Sequence, residues 1–335
     1  MVSWLDTILD RTVVLGYTRI GYRLRKDTFK PTGLPPLDGK VVLVTGASSG
    51  LGLAAAEGFA RLGATVRLLA RDERGGELAR TQITARTGNG DVHLDLCDLS
   101  DLDSVRQYAQ RLRDQTVRLA VLVNNAGALS HERTLSADGI ELTFATNVVG
   151  PFLLTNLLVP LLAASDPGRI VNVSSGGMYA QRVHLDDLQM ANERFDGATA
   201  YARSKRAEVM LTEAWAERLV RSTVVAHAMH PGWVDTPGLK SSLPRFYRAM
   251  KPLLRTPAEG ADTIVWLGAA AEPAGSSGGF WHDRRRRPTH LAPWTKQRPL
   301  ERERLWAECE RLSGWHETPS PAAETQTPPG SDSNR

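Results

Sequence analysis

The apolar run Val41-Val42-Leu43-Val44 leads directly into Thr45-Gly46-Ala47-Ser48-Ser49-Gly50-Leu51-Gly52, and a helical pattern begins inside that turn. A buried strand feeding a glycine-rich turn at a helix start brings backbone N–H groups close to whatever sits above it. Glycine accepts the tight turn, and the helix N-terminus carries unsatisfied donors suited to a pyrophosphate. Alone, such a turn also serves other nucleotide folds and plain loop closure. The second feature is a Ser/Tyr/Lys set: Ser175, and 26 positions later the run Tyr201-Ala202-Arg203-Ser204-Lys205. Phosphate cradle and Ser/Tyr/Lys together point to hydride-transfer chemistry.

The intervening pattern predicts the frame that would hold them. Strands are expected at 41–44, 65–69, 92–94, 119–123, 170–173 and 223–229, with helices at 50–62, 101–115, 136–164 and 200–221. Continuous Val/Leu/Ile strands alternating with amphipathic helices indicate a parallel sheet covered on both faces. Right-handed crossovers then give a Rossmann-like, doubly wound α/β sheet with ligands at the carboxyl ends of its strands. Every motif above falls at such an end.

With 335 residues, 41% of them apolar, the chain can bury one large core. A single domain is expected over 38–312, after an N-terminal extension (1–37) that ends in the linker-like Pro31, Gly33, Pro35 and Pro36. The Pro-, Ser- and Thr-rich stretch 313–335 reads as a disordered tail. In residues 1–30, Trp4, Leu5, Ile8, Leu9, Val13, Leu15 and Ile20 recur at helical spacing among Arg11, Arg19, Arg23, Arg25 and Lys26. No apolar run there approaches the roughly 20 residues that span a bilayer, and a signal-peptide centre is lacking. Two readings stay open: an amphipathic helix on a membrane surface, or one packed on the protein's own core or a second subunit of a homo-oligomer.

Net charge is +4, with basic and acidic residues interspersed, so no nucleic-acid partner is expected. Arg284 to Arg287 is the one dense basic run, a solvated loop face or a docking patch for acidic lipid or nucleic acid. Cys97 and Cys309 lie far apart without metal-ligand spacing. That argues against a disulfide scaffold and a metal, and it fits a reducing, cytoplasmic setting.

Tyr201 and Lys205 are four apart in a helical stretch and so project from one face. Tyrosine, with a pKa near 10, is a poor acid or base at neutral pH; a neighbouring ammonium favours the phenolate and lowers that value. Ser175, at the end of a strand, could hydrogen-bond a substrate oxygen, and Ser174 is its rival.

In order along the chain stand TGASSGLG (Thr45 to Gly52), Asp98-Leu99, NNAG (Asn124 to Gly127), Asn147 in TNVVG, Ser175, YARSK (Tyr201 to Lys205) and PGWVDT (Pro231 to Thr236). From about Asp38 to Pro273 the chain resembles the short-chain dehydrogenase/reductase family, whose G-x-x-x-G-x-G spacing it carries at Gly46, Gly50 and Gly52. The resemblance implies a catalytic set of Asn147, Ser175, Tyr201 and Lys205, with Ser175 rather than Ser174 as the hydroxyl. It also implies that Asn147 kinks its helix and anchors a water relay to the lysine. Thr45, Gly46, Ser48, Ser49, Gly50, Leu51 and Gly52 would cradle the cofactor. Asp98 and Leu99 would meet the adenine, and Asn124, Ala126 and Gly127 would line the adenine-ribose side. Pro231, Gly232, Val234 and Thr236 would embrace the nicotinamide carboxamide, and Lys205 would hold its ribose beside Tyr201. Read from the residues alone, Asp98 could instead cap the next helix and Pro231-Gly232 form a plain turn.

Cofactor choice is read where the second strand ends, in Ala70-Arg71-Asp72. A carboxylate at Ala70 would suit NAD(H); Arg71 instead offers a forked cation to a 2′-phosphate, and Asp72 is placed to cap the following helix. NADP(H) is therefore expected in preference to NAD(H). The long stretch between Ser175 and Tyr201, with SSGGM, Asp187 to Gln189 and Phe195-Asp196-Gly197, is similar to the retinol-dehydrogenase-like branch. In this family the segment from Thr236 to Thr256 closes over the substrate. Its Leu239, Leu243, Phe246, Tyr247, Met250, Leu253 and Leu254 suggest a lipophilic alcohol or carbonyl, or else packing on a partner subunit. The function expected is oxidoreduction; a non-catalytic nucleotide-binding protein is the alternative, one with no need of the tyrosine and lysine together.

Overall fold

The computed structural model describes residues 16–27, 29 and 33–317. At its centre β1 (Val41–Thr45), β2 (Thr65–Ala70), β3 (Val92–Leu96), β4 (Val121–Asn124), β5 (Gly168–Val173) and β6 (Val224–Met229) run parallel. β7 (Gly279–His282) continues the parallel set and β8 (Arg285–Arg287) closes the edge antiparallel, in the order β3-β2-β1-β4-β5-β6-β7-β8. The order reverses between β1 and β4, the topological switch point where such sheets open a crevice at their carboxyl ends.

Alternation along the strands divides the core. Val42 and Val44 of β1 pack on one face with α2 (Gly50–Arg61) and α3 (Glu73–Thr87), while Leu43 turns to the other face. There it meets α4 (Leu102–Gln115), α5 (Leu142–Ala163) and α6 (Gly197–Arg218). Past β6 come α7 (Pro237–Ser242), α8 (Pro244–Met250), α9 (Pro257–Ala269) and α10 (Pro299–Ser313). α9 covers the first face beside α2, and α10 seats Leu305, Trp306 and Cys309 on the second. α5 is long and apolar enough to cross a membrane by length and composition, but 78% of its apolar window is buried within the fold.

Three expectations differ from the structure. The helix expected over 136–164 starts only at Leu142, because Glu141 ends a bridged turn and accepts from Thr143 N and Phe144 N as the cap. Within that helix a π turn over Ala145–Val149 stands where the resemblance implied a kink at Asn147. β7 and β8 were not anticipated from the pattern: their hairpin turns at Asp283 and Arg284, both with left-handed φ (51° and 55°), without the glycine that usually marks a two-residue turn. Arg284 to Arg287 is thus turn and edge strand, with Arg284 paired to Asp262 at 2.6 Å. Finally, ordered helix continues to Ser313, where Gly314 (φ 61°) stops it; residues 318–335 of the expected tail lie outside the described residues.

The described part of the N-terminal stretch packs on the body of the fold. Tyr17, Thr18 and Arg25 are buried, and α1 (Arg19–Lys26) lies against the loop after β6 and the β7–β8 hairpin. Most of the apolar positions expected to form a membrane-facing stripe, Trp4 to Leu15, fall outside the described residues.

Phe152 of α5 sits edge-on to Trp306 at 4.8 Å and within 6.0 Å of Trp215, tying α5, α6 and α10 into one aromatic cluster. Truncating such a buried ring removes its transfer energy and leaves a cavity, at a cost of about 3–5 kcal/mol. Phe152→Ala should therefore lower the unfolding free energy measured in urea by that amount, read through the fluorescence of the neighbouring tryptophans Trp215, Trp306 and Trp315. A loss under about 1 kcal/mol would show that the cluster is not a core element.

Candidate active site

The turn between β1 and α2 has no room for side chains. Gly46 (φ 63°) and Gly50 (φ 55°) are left-handed; a Cβ on Gly46 would stand 2.8 Å from Ala126 Cα, and one on Gly52 2.3 Å from Gly46 O. A Cβ on Gly50 would press on Thr236 at 3.2 Å, so the turn, the end of β4 and the loop after β6 converge here. Thr45 Oγ1 fixes the first two by accepting from Asn125 N and Ala126 N, each at 2.9 Å. α2 begins with Ser49 as N-cap, its side chain making no capping bond, and with no acidic residue in the first turn. Its terminal N–H groups and the Ser48 and Ser49 hydroxyls are left for an anion. Half-buried Leu51 packs toward Gly260 of α9 below them.

At the end of β2, Asp72 is engaged as the N-cap of α3, accepting from Gly75 N at 2.6 Å. Arg71 beside it is exposed and has no hydrogen-bond or ion-pair partner among the described residues. At the end of β3, Asp98 takes Ser100 N (2.9 Å) and Ser100 Oγ (2.7 Å) on one carboxylate oxygen, and Leu99 is buried. The cap of α4 is Asp101, so the capping reading of Asp98 does not apply. Asn124, expected on the adenine-ribose side, turns its side chain into the sheet instead, donating to Thr155 Oγ1 (2.9 Å) and Asn172 Oδ1 (2.8 Å). Ala126 follows it against the Gly46 turn.

The Ser/Tyr/Lys set assembles where β5 ends beside α6. Ser174 is buried and donates to the Lys205 carbonyl at 2.7 Å, a purely structural bond. Ser175 is half-buried; its Oγ accepts from Gly177 N at 3.2 Å, which leaves its O–H proton to donate elsewhere. The two serines thus differ in their commitments: Ser174 Oγ is spent on the Lys205 carbonyl, and Ser175 keeps its O–H proton. Tyr201 is half-buried with no hydrogen bond to its hydroxyl among the described residues, and Lys205 Nζ lies 5.6 Å from its ring centre.

Lys205 Nζ donates to Val173 O (3.0 Å) and to Glu208 Oε1 (2.6 Å), which leaves one of its three N–H donors unspent. Gly127 lies over it: a Cβ there would stand 3.3 Å from Nζ and 3.6 Å from Asn147 Oδ1. Asn147 sits in the π turn, accepting from Ala128 N (2.7 Å) and donating to Ala128 O (3.0 Å) and Ser204 Oγ (2.9 Å). An amide buried in a helix interior is satisfied only because the π turn lets it reach the β4 loop.

Glu208 was not legible as part of the site, since a Lys-x-x-Glu spacing ordinarily reads as a surface pair. Both side chains are buried here. Burial pulls the Lys205 ammonium down, but the Glu208 carboxylate and Tyr201 more than offset it and hold Lys205 above its ordinary value. Burial pushes the Glu208 carboxyl up to about 7 against the attraction of Lys205, and its Oε2 has no hydrogen-bond partner among the described residues.

Beyond the sheet ends, Gly232 (φ 78°) shapes the loop after β6, and Arg255 Nη1 donates to Pro231 O at 3.2 Å. Val234 is buried and bridges Arg255 as a short parallel pair; Thr236 Oγ1 caps α7 by accepting from Leu239 N at 3.2 Å. Phe246 of α8 meets Trp233 edge-on at 5.0 Å, which ties α8 to this loop.

Residues 40–245 match the family model for short chain dehydrogenases. Among curated proteins, the chain is 40% identical over 300 residues to dehydrogenase/reductase SDR family member 12 of Bos taurus, covering 89% of this chain and 94% of that protein. Retinol dehydrogenase 12 of Mus musculus is 36% identical over 282 residues, covering 82% and 87%. Among solved structures, a Mycobacterium paratuberculosis protein of uncharacterized function aligns with a TM-score of 0.67 at 33% identity, over 84% of this chain and 96% of that one. A short chain dehydrogenase of Escherichia coli CFT073 complexed with NADPH aligns with a TM-score of 0.63 at 27% identity, over 76% and 100%.

The Glu208 carboxyl supplies a pH test. Its folded value, about 7, lies above the ordinary 4.5, so its contribution to stability is fully present below about 4.5 and is lost as pH rises through 7. The loss is on the order of 3 kcal/mol. Relative to Glu208→Gln, the wild type should therefore lose denaturant stability between pH 5 and pH 8. Parallel pH curves for the two proteins would show that Glu208 does not titrate in that window.

Proposed function

The chain belongs to the short-chain dehydrogenase/reductase family, and on that premise we propose that it interconverts a lipophilic alcohol and its carbonyl with NADP(H), using Tyr201 as acid–base group. The observation that carries the proposal is the pairing of half-buried Tyr201 with buried Lys205, one helical turn apart beside Ser175. The Gly46, Gly50 and Gly52 cradle, which a Cβ would fill, and the uncapped start of α2 fit a dinucleotide pyrophosphate.

When bound, the nicotinamide cofactor supplies or accepts the hydride. Tyr201 donates its phenolic proton to the carbonyl oxygen in reduction and takes it back in oxidation. Ser175 donates its free O–H to the same oxygen and steadies developing alkoxide charge. Lys205, held charged in its pair with Glu208, sets an ammonium beside the Tyr201 ring and would offer its third N–H to the nicotinamide ribose. Asn147 holds the Ala128 backbone beside Lys205 and so keeps that wall of the site in place. Exposed, unpartnered Arg71 would pair with a 2′-phosphate, which supports NADP(H) over NAD(H). The apolar residues of α7 and α8, joined through Phe246 to the loop after β6, together with the likeness to proteins named retinol dehydrogenase, support a lipophilic substrate. Free, buried Cys97 and Cys309 suit a cytoplasmic setting.

Two measurements test this. Tyr201→Phe should bind NADPH like the wild type but lose about 10²–10⁴-fold in turnover of lipophilic aldehydes or ketones, since no neighbour can supply the proton. Turnover within a few-fold of wild type would sink the assignment, and a wild type inactive on a broad panel would favour a nucleotide-binding role. Arg71→Ala should weaken NADPH binding by about 10- to 150-fold, the equivalent of one charge-assisted hydrogen bond, and NADH binding much less. Equal losses for the two cofactors, or a wild type that prefers NADH, would overturn the cofactor choice.

A further inference from the structure

Tyr17 lies more than 150 positions before the nearest member of the Ser/Tyr/Lys set, yet it sits among the walls of the site. Its ring is edge-on to His230 at 4.4 Å and to Trp233 at 6.0 Å, on the loop that leaves β6. On the other side it abuts Gly176, the residue after Ser175, so closely that a Cβ there would stand 2.4 Å from Tyr17 Cε2. One ring thus fills the gap between the ends of β5 and β6.

The backbone of the same segment grips the loop. Tyr17 O accepts from Trp233 N at 2.8 Å and from Arg255 Nε at 3.1 Å, and Gly16 O accepts from Arg255 Nη2 at 2.9 Å. Gly232 can approach only because it lacks a side chain: a Cβ would stand 2.6 Å from Tyr17 O. Arg255 is anchored in turn by Asp283, which also binds Arg25 of α1 at 2.9 Å, so the two ends of the segment are tied to one buried carboxylate.

We propose that Tyr17 is a positioning residue: residues 16–18 form part of the catalytic domain and hold the Pro231–Val234 loop against the Ser175–Gly176 turn, setting the distance between the nicotinamide and substrate sides of the site. The proposal rests on the catalytic assignment made above, but it concerns a segment that no motif of the family marks in this sequence. The backbone carbonyls of Gly16 and Tyr17 and one aromatic wedge do the holding, and the ion cluster of Arg25, Arg255 and Asp283 keeps them in register.

Hydrogen exchange on the wild-type full chain provides the first test. Amides of 16–22 and 231–236 should gain protection together when NADPH is added, because ordering one orders the other. Protection of 231–236 alone would overturn the proposal. The second test is Tyr17→Ala against Tyr17→Phe. The alanine variant, with a cooperative thermal melt, should exchange faster at 231–236 and lose about 10- to 100-fold in kcat/KM through misplacement of the loop, mostly in kcat. Phenylalanine should restore both. An alanine variant with wild-type exchange and turnover would refute the role. If the wild type turns over no substrate, the catalytic assignment fails, and the two exchange measurements still decide whether the segment and the loop are coupled.

Discussion

Three glycines after β1 set how closely the segments around the crevice can approach. With no Cβ at Gly46, Gly50 or Gly52, the first turn can rest on the backbone of Ala126 and against Thr236, residues that follow β4 and β6. Strands on both sides of the switch point therefore present their carboxyl ends to one shared space. Thr45 fastens the contact through two backbone N–H groups, and the uncapped start of α2 leaves donors facing into it. A single methyl in this turn would separate the parts that must meet across a dinucleotide. Glycine here is a requirement of packing between segments as well as of backbone conformation.

Below that turn the chemistry is held by a buried charge pair. A lone ammonium at the position of Lys205 would be pulled toward its neutral form by desolvation. The Glu208 carboxylate keeps the charge in place, at the cost of a carboxyl whose own ionisation is resisted and whose second oxygen goes unpartnered. Removing either member leaves the other uncompensated, so the pair is better understood as a device for fixing protonation than as a source of stability. Because Lys205 also donates to Val173 O, its ammonium is oriented before any ligand arrives.

Much of the frame was legible because strand and helix periods are written in side-chain size. Val42 and Val44 against Leu43 already divide the two faces of the sheet. Features that depend on one residue's backbone were less readable. The π turn at Asn147 leaves no periodic mark and was implied only by the resemblance, and the Asp283-Arg284 turn adopts left-handed φ without glycine. In the site, the Ser175 choice rests on resemblance; the commitment of Ser174 to the Lys205 carbonyl, which agrees with it, appears only in three dimensions. Asn124 carries a second feature that no spacing marks: its side-chain amide is committed to a neighbouring strand and helix.

The N-terminal stretch shows why linear boundaries mislead. Pro31, Gly33, Pro35 and Pro36 separate it in sequence from β1, and composition alone makes it an appendage. Packing says otherwise, because Asp283 is buried in a left-handed turn and can stay ionised there only if cations are delivered to it. Arg255 comes from the end of the loop after β6 and Arg25 from α1, so satisfying one carboxylate draws together two segments with no sequence proximity. Such a cluster contributes little net stability after desolvation, whereas an apolar replacement would allow sliding. Its value is positional: the arginines fix where Gly16 and Tyr17 carbonyls meet the loop, and hence where that loop stands relative to Ser175.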